Sequence, residues 1–389
     1  MAPKLLSDFF VAFFLFFSQS AVAYNVVSFG ARGNGKTDST LGFLRAWRAA
    51  CASRTPSEVY IPRGSYVVKP VSFDGPCKTK ITFRNDGTLV APGNINSLGN
   101  TGFWIKFYKV SYLSVIGGTL DARGSVFWQC RRKGYNCPAG ARSVTFMWCN
   151  NVNVRGLKSY NSQTIHIAIS HSNNIKMSSL YIRAPSGSPN TDGINILQSR
   201  GVTITGSTIQ TGDDCVTVGQ GSMNVWIANI GCGPGHGISI GSLGDSYNEA
   251  GVQNVTVTSS VFTKTQNGVR VKSWAKPSTG YAKNLNFRNL IMKGVGYPII
   301  IDQKYCPDNR CPHQSSGVKV SQVTYDNIKG TSATQAAMKF ECSSSKPCTG
   351  IKLRNIKLTY VNTRRLPTLA YCKYASGSRS GTVSPRSCL

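Results

Sequence analysis

The feature that most restricts the fold is a recurring pattern of short β-branched runs, which begins near residue 143. Each run starts with Asn or another small polar residue, alternates inward and outward side chains, and ends at a Gly- or Ser-containing turn. Such alternation indicates strands, and similar units repeating every roughly 20–50 residues indicate a solenoid. Eight matching positions lie 23, 27, 23, 30, 30, 33 and 33 residues apart: Val152, Ile175, Val202, Val225, Val255, Leu285, Val318 and Ile351.

The pattern predicts an all-β chain in which two or three short strands form one coil and the core lengthens coil by coil. Repeats built from helices would show an apolar stripe of period 3.6, which these segments lack. A β-sandwich is the alternative fold, but it does not predict one repeating spacing. Linkers rich in Pro or charge are absent from the sequence, so we expect a single domain over residues 24–389.

The first coil of a solenoid needs a cover, and residues 37–51 (TDSTLGFLRAWRAAC) can supply it. Phe43, Trp47 and Ala50 follow helical spacing, which predicts a short capping helix with its apolar face on the core. Thr37 or Asp38 is the expected N-cap. Trp47 is therefore expected to plug the end of the core rather than to bind a ligand.

The charge balance and the first residues of the chain restrict the partner. The 44 basic and 15 acidic residues give a net charge of +29, which favours nucleic acid, an acidic membrane surface or an acidic polysaccharide. Residues 1–23 combine Lys4, a short apolar core and Ala-Val-Ala at 21–23, as in a cleavable secretory signal peptide. The apolar run is shorter than the roughly 20 residues that span a bilayer, so a membrane anchor is the weaker interpretation. A secreted, extracellular protein points to an acidic polysaccharide rather than to nucleic acid or a membrane.

Thirteen cysteines fit an oxidising compartment. Metal binding is the competing interpretation, but the sequence has no tight cluster of Cys and His pairs at zinc-ligand spacing. One cysteine, Cys149, is left over, and we expect it to be a buried, inert thiol. Proximity in sequence suggests six disulfides: Cys51–Cys77, Cys130–Cys137, Cys215–Cys232, Cys306–Cys311, Cys342–Cys348 and Cys372–Cys388.

Two of the scarce acids stand side by side, at Asp213 and Asp214 in TGDDCVTVGQ. Because residues one coil apart in a parallel β-helix lie about 4.8 Å from each other, polar residues one repeat away should stack on this doublet. Four such residues complete the predicted patch, 21, 22 and 34 residues apart in turn: Asp192 (before Asp213), His236 (after Asp214), and Arg270 with Lys272 (after His236).

Crowded carboxylates suit acid catalysis, since like charges at short range force one group to keep its proton. Cleaving a glycosidic bond needs one such acid and one carboxylate that acts from the other side. Gly212 is expected to turn or bulge the backbone so that both aspartates reach the cleft. An aspartate pair alone is more often a turn; a calcium site is another possibility, but acidic ligands at alternate positions are missing.

Four segments in this order, NTDG (190–193), GDDC (212–215), GHG (235–237) and RVK (270–272), resemble the signature segments of the polygalacturonases, the glycoside hydrolases that cut pectin. The resemblance runs from VVSFGARGNGKTDST (26–40) to the C-terminal cysteines, and IDQKYCP (301–307) is closest to the plant branch. It implies a right-handed parallel β-helix that hydrolyses α-1,4-galacturonosyl linkages of de-esterified pectin with inversion. It also implies no cofactor and no metal, and we expect a monomer.

The same resemblance implies a role for each residue of the patch and for one tyrosine outside it. The roles are general acid for Asp213, holding and activating water for Asp192 and Asp214, tuning of the acid's proton for His236, gripping of galacturonate carboxylates for Arg270 and Lys272, and sugar contact for Tyr305.

Two other functions stay open at this point. A pectin or pectate lyase would use an Arg base, often calcium, and leave unsaturated ends, whereas the complete carboxylate set favours hydrolysis. A catalytically silent wall-binding protein would have lost one of the four segments. The sequence leaves undecided whether cleavage is endo or exo, whether the Asn254 glycosylation sequon is used, and whether His166, one coil before the patch, faces the cleft or the core.

Overall fold

The computed structural model describes residues 22–134, 136–307, 310–311, 314–362 and 366–389. The predicted signal peptide lies outside the described residues, except that Val22 and Ala23 begin the first strand. No helix among the described residues is both long and apolar enough to cross a membrane. The signal peptide therefore stays a prediction.

The described residues form 28 strands, two α-helices and two short 3-10 helices (Val26–Phe29 and Ile95–Ser97). The α-helices are α1 (Thr40–Ala52) and α2 (Ser125–Arg132). The strands, in chain order, are β1 (Val22–Asn25), β2 (Asn34–Asp38), β3 (Ser57–Ile61), β4 (Ser65–Val67), β5 (Val71–Asp74), β6 (Ile81–Val90), β7 (Phe103–Tyr108), β8 (Ser111–Asp121), β9 (Arg142–Met147), β10 (Asn150–Arg155), β11 (Lys158–Tyr160), β12 (Ile167–Ser170), β13 (Asn173–Ser178), β14 (Tyr181–Arg183), β15 (Ile194–Leu197), β16 (Arg200–Gln210), β17 (Val216–Val218), β18 (Met223–Cys232), β19 (Ile238–Leu243), β20 (Val252–Thr263), β21 (Asn267–Trp274), β22 (Tyr281–Val295), β23 (Tyr297–Tyr305), β24 (Lys319–Ser332), β25 (Ala336–Glu341), β26 (Cys348–Tyr360), β27 (Leu369–Lys373) and β28 (Ala375–Ser384).

The strands form two parallel sheets that wind together as a right-handed parallel β-helix, as predicted. Sheet B contains eleven strands, which are β5, β7, β9, β12, β15, β17, β19, β21, β23, β25 and β27. The other seventeen strands form sheet A. A coil crosses sheet B once and then sheet A, and the next coil pairs with it in register.

One continuous apolar core fills the inside of the helix. It arises because every second residue of a strand points inward, so aligned strands place their apolar residues on top of one another. In sheet B six successive coils contribute a pair each: Ile167 and Ile169, Ile194 and Ile196, Val216 and Val218, Ile238 and Ile240, Val269 and Val271, and Ile299 and Ile301.

Most of the repeat positions predicted from the sequence pair as expected, but Val318 is wrong. Strand pairing joins Val152 through Val255 to Leu285 in the predicted order, yet Leu285 pairs with Val323, and Val323 with Ile351. The last two steps are therefore 38 residues (285 to 323) and 28 residues (323 to 351). Val318 and Val323 are both buried, so the apolar pattern could not separate them across the longer loop before β24.

Helix α1 caps the first coil, as predicted, and buries Phe43, Trp47 and Ala50. The Trp47 ring packs on Phe73 and Phe107, which confirms it as a plug. The predicted N-cap is wrong: Ser39 occupies that position, because the helix begins at Thr40. Asp38 still binds the first turn through the backbone amide and hydroxyl of Thr40.

All six predicted disulfides form. Cys149 is a free, buried thiol, and burial raises its pKa to about 11. Its Sγ donates to the carbonyl oxygen of Phe107 at 3.3 Å. A thiol that stays protonated in the core is inert, as the sequence predicted. Helix α2 was not predicted; it packs Phe127 and Trp128 against Ala184.

Candidate active site

The polar patch predicted from residue spacing forms along one face of sheet B. Asp192, Asp214 and His236 each precede their strand by one residue, on three successive coils, because Ile194 pairs with Val216 and Val216 with Ile238. The backbone amide of Gly193 donates to the carbonyl of Asp214 at 2.9 Å, which ties the first two coils together at this level. Residues far apart in sequence are thus brought into one column.

The two side chains of the doublet reach different surroundings. The Asp214 side chain is buried, whereas that of Asp213 is 23% exposed. The carboxylate of Asp213 accepts from the backbone amide of Asp214 at 2.8 Å. Gly212 makes this turn possible, since a Cβ there would overlap the carbonyl oxygen of Ser188 on the preceding coil. The sequence predicted a special backbone at this glycine, and the reason is this close approach between coils.

Asp214 is held by two cations and a hydroxyl. Lys272 Nζ lies 2.7 Å from one carboxylate oxygen, while Arg270 Nη2 at 3.3 Å and Ser239 Oγ at 2.7 Å bind the other. Burial alone would raise the pKa of Asp214, but Lys272 and Arg270 hold it below its ordinary value. Burial would likewise lower the pKa of Lys272, and Asp214 raises it. All three groups are therefore charged in the folded protein.

Asp192 behaves in the opposite way. Burial, followed by repulsion from Asp213 and Asp214, raises the pKa of its carboxyl to about 7. The Thr217 hydroxyl donates to Asp192 Oδ2 at 2.8 Å and lies 3.5 Å from Asp214 Oδ2, so it stands between the two acids. The sequence predicted that crowding would keep one acid protonated; the structure assigns that proton to Asp192, because the cations are spent on Asp214.

His236 pairs with Asp213. Its Nδ1 lies 3.1 Å from Asp213 Oδ1, and its side chain is 37% exposed. Burial lowers the pKa of His236, but the bond to Asp213 and its charge outweigh burial and raise it. This pair is the most exposed part of the polar patch and faces the open side of the cleft.

Tyr305, at the end of β23, lies beside the two cations. Lys272 Nζ is 5.0 Å and the Arg270 guanidinium 5.6 Å from the centroid of its ring. Trp274 contacts the same ring edge-on at 5.2 Å. The sequence analysis missed Trp274, although it follows Lys272 by two residues. It also missed Thr217 and Ser239, which strand pairing aligns with Arg270.

His166 belongs to the core and not to the cleft. The ring is fully buried, and its Nδ1 bonds Ser159 Oγ at 2.8 Å. Burial lowers its pKa to about 3, so it is neutral. Its Nε2 has no hydrogen-bond partner. The question that the sequence left open is answered by this burial.

Asp213, Asp214 and His236 offer ligand atoms within 4.8 Å of one another, which is close enough to hold a metal ion. Both oxygens of Asp214 are already bound by Lys272, Arg270 and Ser239, however. A divalent cation would have to displace two positive charges. The arrangement suits acid–base chemistry better than metal binding.

Comparisons with known proteins agree with this geometry. The family model described as glycosyl hydrolases family 28 matches residues 51–385, and one described as rhamnogalacturonase A/epimerase, pectate lyase-like, matches residues 23–74. The chain is 50% identical over 383 residues to a polygalacturonase of Prunus persica, covering 97% of each chain. It is 43% identical over 367 residues to polygalacturonase-2 of Solanum lycopersicum, covering 93% of this chain and 80% of the relative.

Among solved structures, the fold is similar to that of an exopolygalacturonase from Thermotoga maritima, with a TM-score of 0.77. The match covers 92% of this chain and 90% of the other, at 19% identity. At that identity the likeness shows the β-helix fold alone.

Proposed function

The chain belongs to glycosyl hydrolases family 28, as its resemblance to the plant polygalacturonases implied, and from that premise we propose how it hydrolyses polygalacturonate. The substrate is the α-1,4-galacturonosyl linkage of de-esterified pectin, and cleavage proceeds with inversion. The observation that carries the proposal is the column of Asp192, Asp213 and Asp214 beside Arg270 and Lys272. The match does not favour the lyase alternative.

Asp213 acts as the general acid in this proposal. It is the exposed member of the doublet and faces His236, which can tune the proton it gives to the departing sugar oxygen. Asp214 is ionised and, with Asp192, holds the attacking water from the other side. Because Asp192 keeps its proton up to a pH of about 7, Asp214 supplies the negative charge at mildly acidic pH.

Arg270 and Lys272 attract the galacturonate carboxylate. Two cations stand against one ionised carboxylate, Asp214, so one positive charge at this place is left uncompensated. A charged hydrogen bond formed in a nearly dry site is strong and selects a uronate over a neutral sugar. Tyr305 and Trp274 then offer ring surface to the sugar on this side.

The setting follows from the same proposal. The partner is an acidic polysaccharide of the cell wall, with no nucleic acid and no membrane involved, and the protein works outside the cell as a monomer. The net charge of +29 draws it to anionic pectin, and six disulfides suit an oxidising compartment.

The test is the release of reducing ends from polygalacturonate. Asp213→Asn should lower the rate by about 1000-fold or more, because it removes the proton donor while leaving size and shape unchanged. Asp326→Asn is the matched control, since Asp326 pairs with Arg354 on sheet A. Retained activity in Asp213→Asn would remove it from the acid role, and products absorbing in the ultraviolet would indicate elimination instead.

A further inference from the structure

A ladder of turn residues runs along the carboxyl edge of sheet B. Lys109, Trp148, His171 and Gln198 each follow a strand of this sheet directly, on four successive coils. All four have left-handed backbones, with φ between 45° and 58°. Each of the first three donates its backbone amide to the coil that follows, to Met147, Ser170 and Leu197 respectively, so the turns stack in register.

Trp148 presents a large, fixed and exposed ring in this ladder. Its side chain is 49% exposed, and its indole stacks on the His171 ring at a centroid distance of 4.3 Å. His171 is in turn held by a 2.8 Å bond between its Nδ1 and Ser170 Oγ. The turn itself does not require a tryptophan, since Gly221 takes the same place further along the ladder. An exposed, preorganised aromatic ring suggests a contact surface.

The surface beside Trp148 combines apolar and cationic groups. The outward column of sheet B next to the ladder contains Tyr108, Met147, Ser170 and Leu197, paired in register and all partly exposed. Lys106 and Lys109 place their ammonium groups 5.4 Å and 5.2 Å from the centroid of the Tyr108 ring. The acid in this neighbourhood, Asp74, pairs with Tyr108 along the sheet, and its carboxylate accepts from Ser72 Oγ. Cations therefore outnumber acids by two to one here.

This surface shares a face with the cleavage site. The outward residues Thr145, Ala168 and Asn195 continue in register to Thr217 and Ser239, which bind the acids. The strand of Trp148 lies three strand spacings before that of Asp214, or ~14 Å along the helix axis. A chain lying on this face can therefore reach both places at once.

We propose that Trp148, backed by His171 and flanked by Lys109, is a remote binding subsite for the polygalacturonate chain. The apolar C–H face of one galacturonate unit lies on the free face of the indole, and Lys109 pairs with a carboxylate of the same stretch. This rests on the proposed function of the cleavage site, and it adds that long chains are held several units away from the bond that breaks. Long chains are then better substrates than short oligomers.

The experiment compares Trp148→Ala with Trp226→Ala. Trp226 is the matched control because it is 39% exposed on β18 of sheet A, with the Arg288 guanidinium 5.5 Å from its ring, so it combines an exposed ring and a cation away from the cleft. We expect Trp148→Ala to raise KM for long polygalacturonate about fivefold or more, with a much smaller change for trigalacturonate. Trp148→Phe should restore most of the loss, which separates stacking from a folding defect.

Binding of long polygalacturonate to the Asp213→Asn protein provides an arm that does not need catalysis. Adding Trp148→Ala should weaken this binding about fivefold or more, and adding Trp226→Ala should not. Equal binding with and without Trp148 would overturn the subsite even if the enzyme cuts polygalacturonate normally. Equal losses in the two tryptophan variants, or equal losses on long and short substrates, would overturn it as well. If the wild-type protein cuts no polygalacturonate, the proposed function fails, and the binding arm still decides the subsite.

Discussion

Lys272 joins the stability of the site to its affinity. It neutralises the buried carboxylate of Asp214 and stands at the Tyr305 ring, where a substrate carboxylate is proposed to bind. Removing one partner of a buried ion pair leaves the other charge poorly compensated. One residue thus fixes both the ionised state of Asp214 and the charge that a uronate meets.

Lys272→Met should therefore raise KM for polygalacturonate and also cost roughly 2–3 kcal/mol in free energy of unfolding, since Arg270 and Ser239 stay on Asp214. Steady-state kinetics and urea unfolding measure the two effects. Lys276→Met is the control, because Lys276 pairs with the exposed Asp245. A normal KM in Lys272→Met would count against the role of Lys272 in substrate binding.

Asp192 gives stability a distinct pH dependence. In the unfolded chain its carboxyl ionises near pH 4, whereas in the folded protein it holds its proton up to about pH 7. The folded state binds more protons in this window, so Asp192 makes stability fall as pH rises from 4 to 7, by roughly 2–4 kcal/mol.

Asp192→Asn should remove that fall, because an amide does not titrate. Urea unfolding at several pH values checks it. The raised pKa of His236 acts in the same direction at higher pH, while the lowered pKa of Asp214 matters only below its ordinary value. The same slope in wild type and Asp192→Asn would show that Asp192 is ionised in the folded protein.

The turn before β17 shows how a coil positions the doublet. The backbone of Gly212 passes so close to the Ser188 carbonyl that no side chain fits between the two coils. Its amide also donates to Thr191 Oγ1 at 3.0 Å, which fixes the turn to the loop that carries Asp192. The contact sets the height of one carboxylate relative to the other.

Gly212→Ala should push these coils apart, destabilise the protein by roughly 2 kcal/mol or more, and abolish most hydrolysis. Gly187→Ala is the control, since a Cβ at Gly187 meets nothing within 4 Å. Urea unfolding and reducing-end release measure both variants. Wild-type behaviour of Gly212→Ala would mean that the coils tolerate a shift at this turn.

The sequence predicted those elements whose spacing follows the coil. Asp192, Asp214 and His236 stack because the coils between them have nearly constant length, and burial on alternate positions keeps the register. The prediction failed where a loop length changed, at Val318, because nothing local distinguishes two buried valines in one run. Which acid keeps its proton also depends on where Arg270 and Lys272 place their charges, and side-chain direction is not written in the spacing.

The charge of the whole molecule should act on the substrate over distances longer than any contact. A net charge of +29 creates a positive field along the β-helix, and salt screens that field beyond a Debye length of about 10 Å at 0.1 M. Attraction through such a field grows with the number of charges on the partner. Long polygalacturonate chains should feel it far more than short oligomers.

Raising salt from about 0.05 M to about 0.5 M should therefore increase KM for long polygalacturonate several-fold and KM for trigalacturonate much less. Initial rates at fixed pH measure this difference. Equal salt dependence of the two substrates would indicate that only contacts inside the cleft recognise charge.

The configuration of the newly formed reducing end tests the stacked site most directly. An acid on one side of the bond and a carboxylate-held water on the other turn an α-linkage into a β-product. Proton NMR of polygalacturonate during the first minutes of digestion should show saturated β-anomers first, followed by slow mutarotation. Products that start as α-anomers, or that carry unsaturated ends, would contradict water attack organised by Asp192 and Asp214 opposite Asp213.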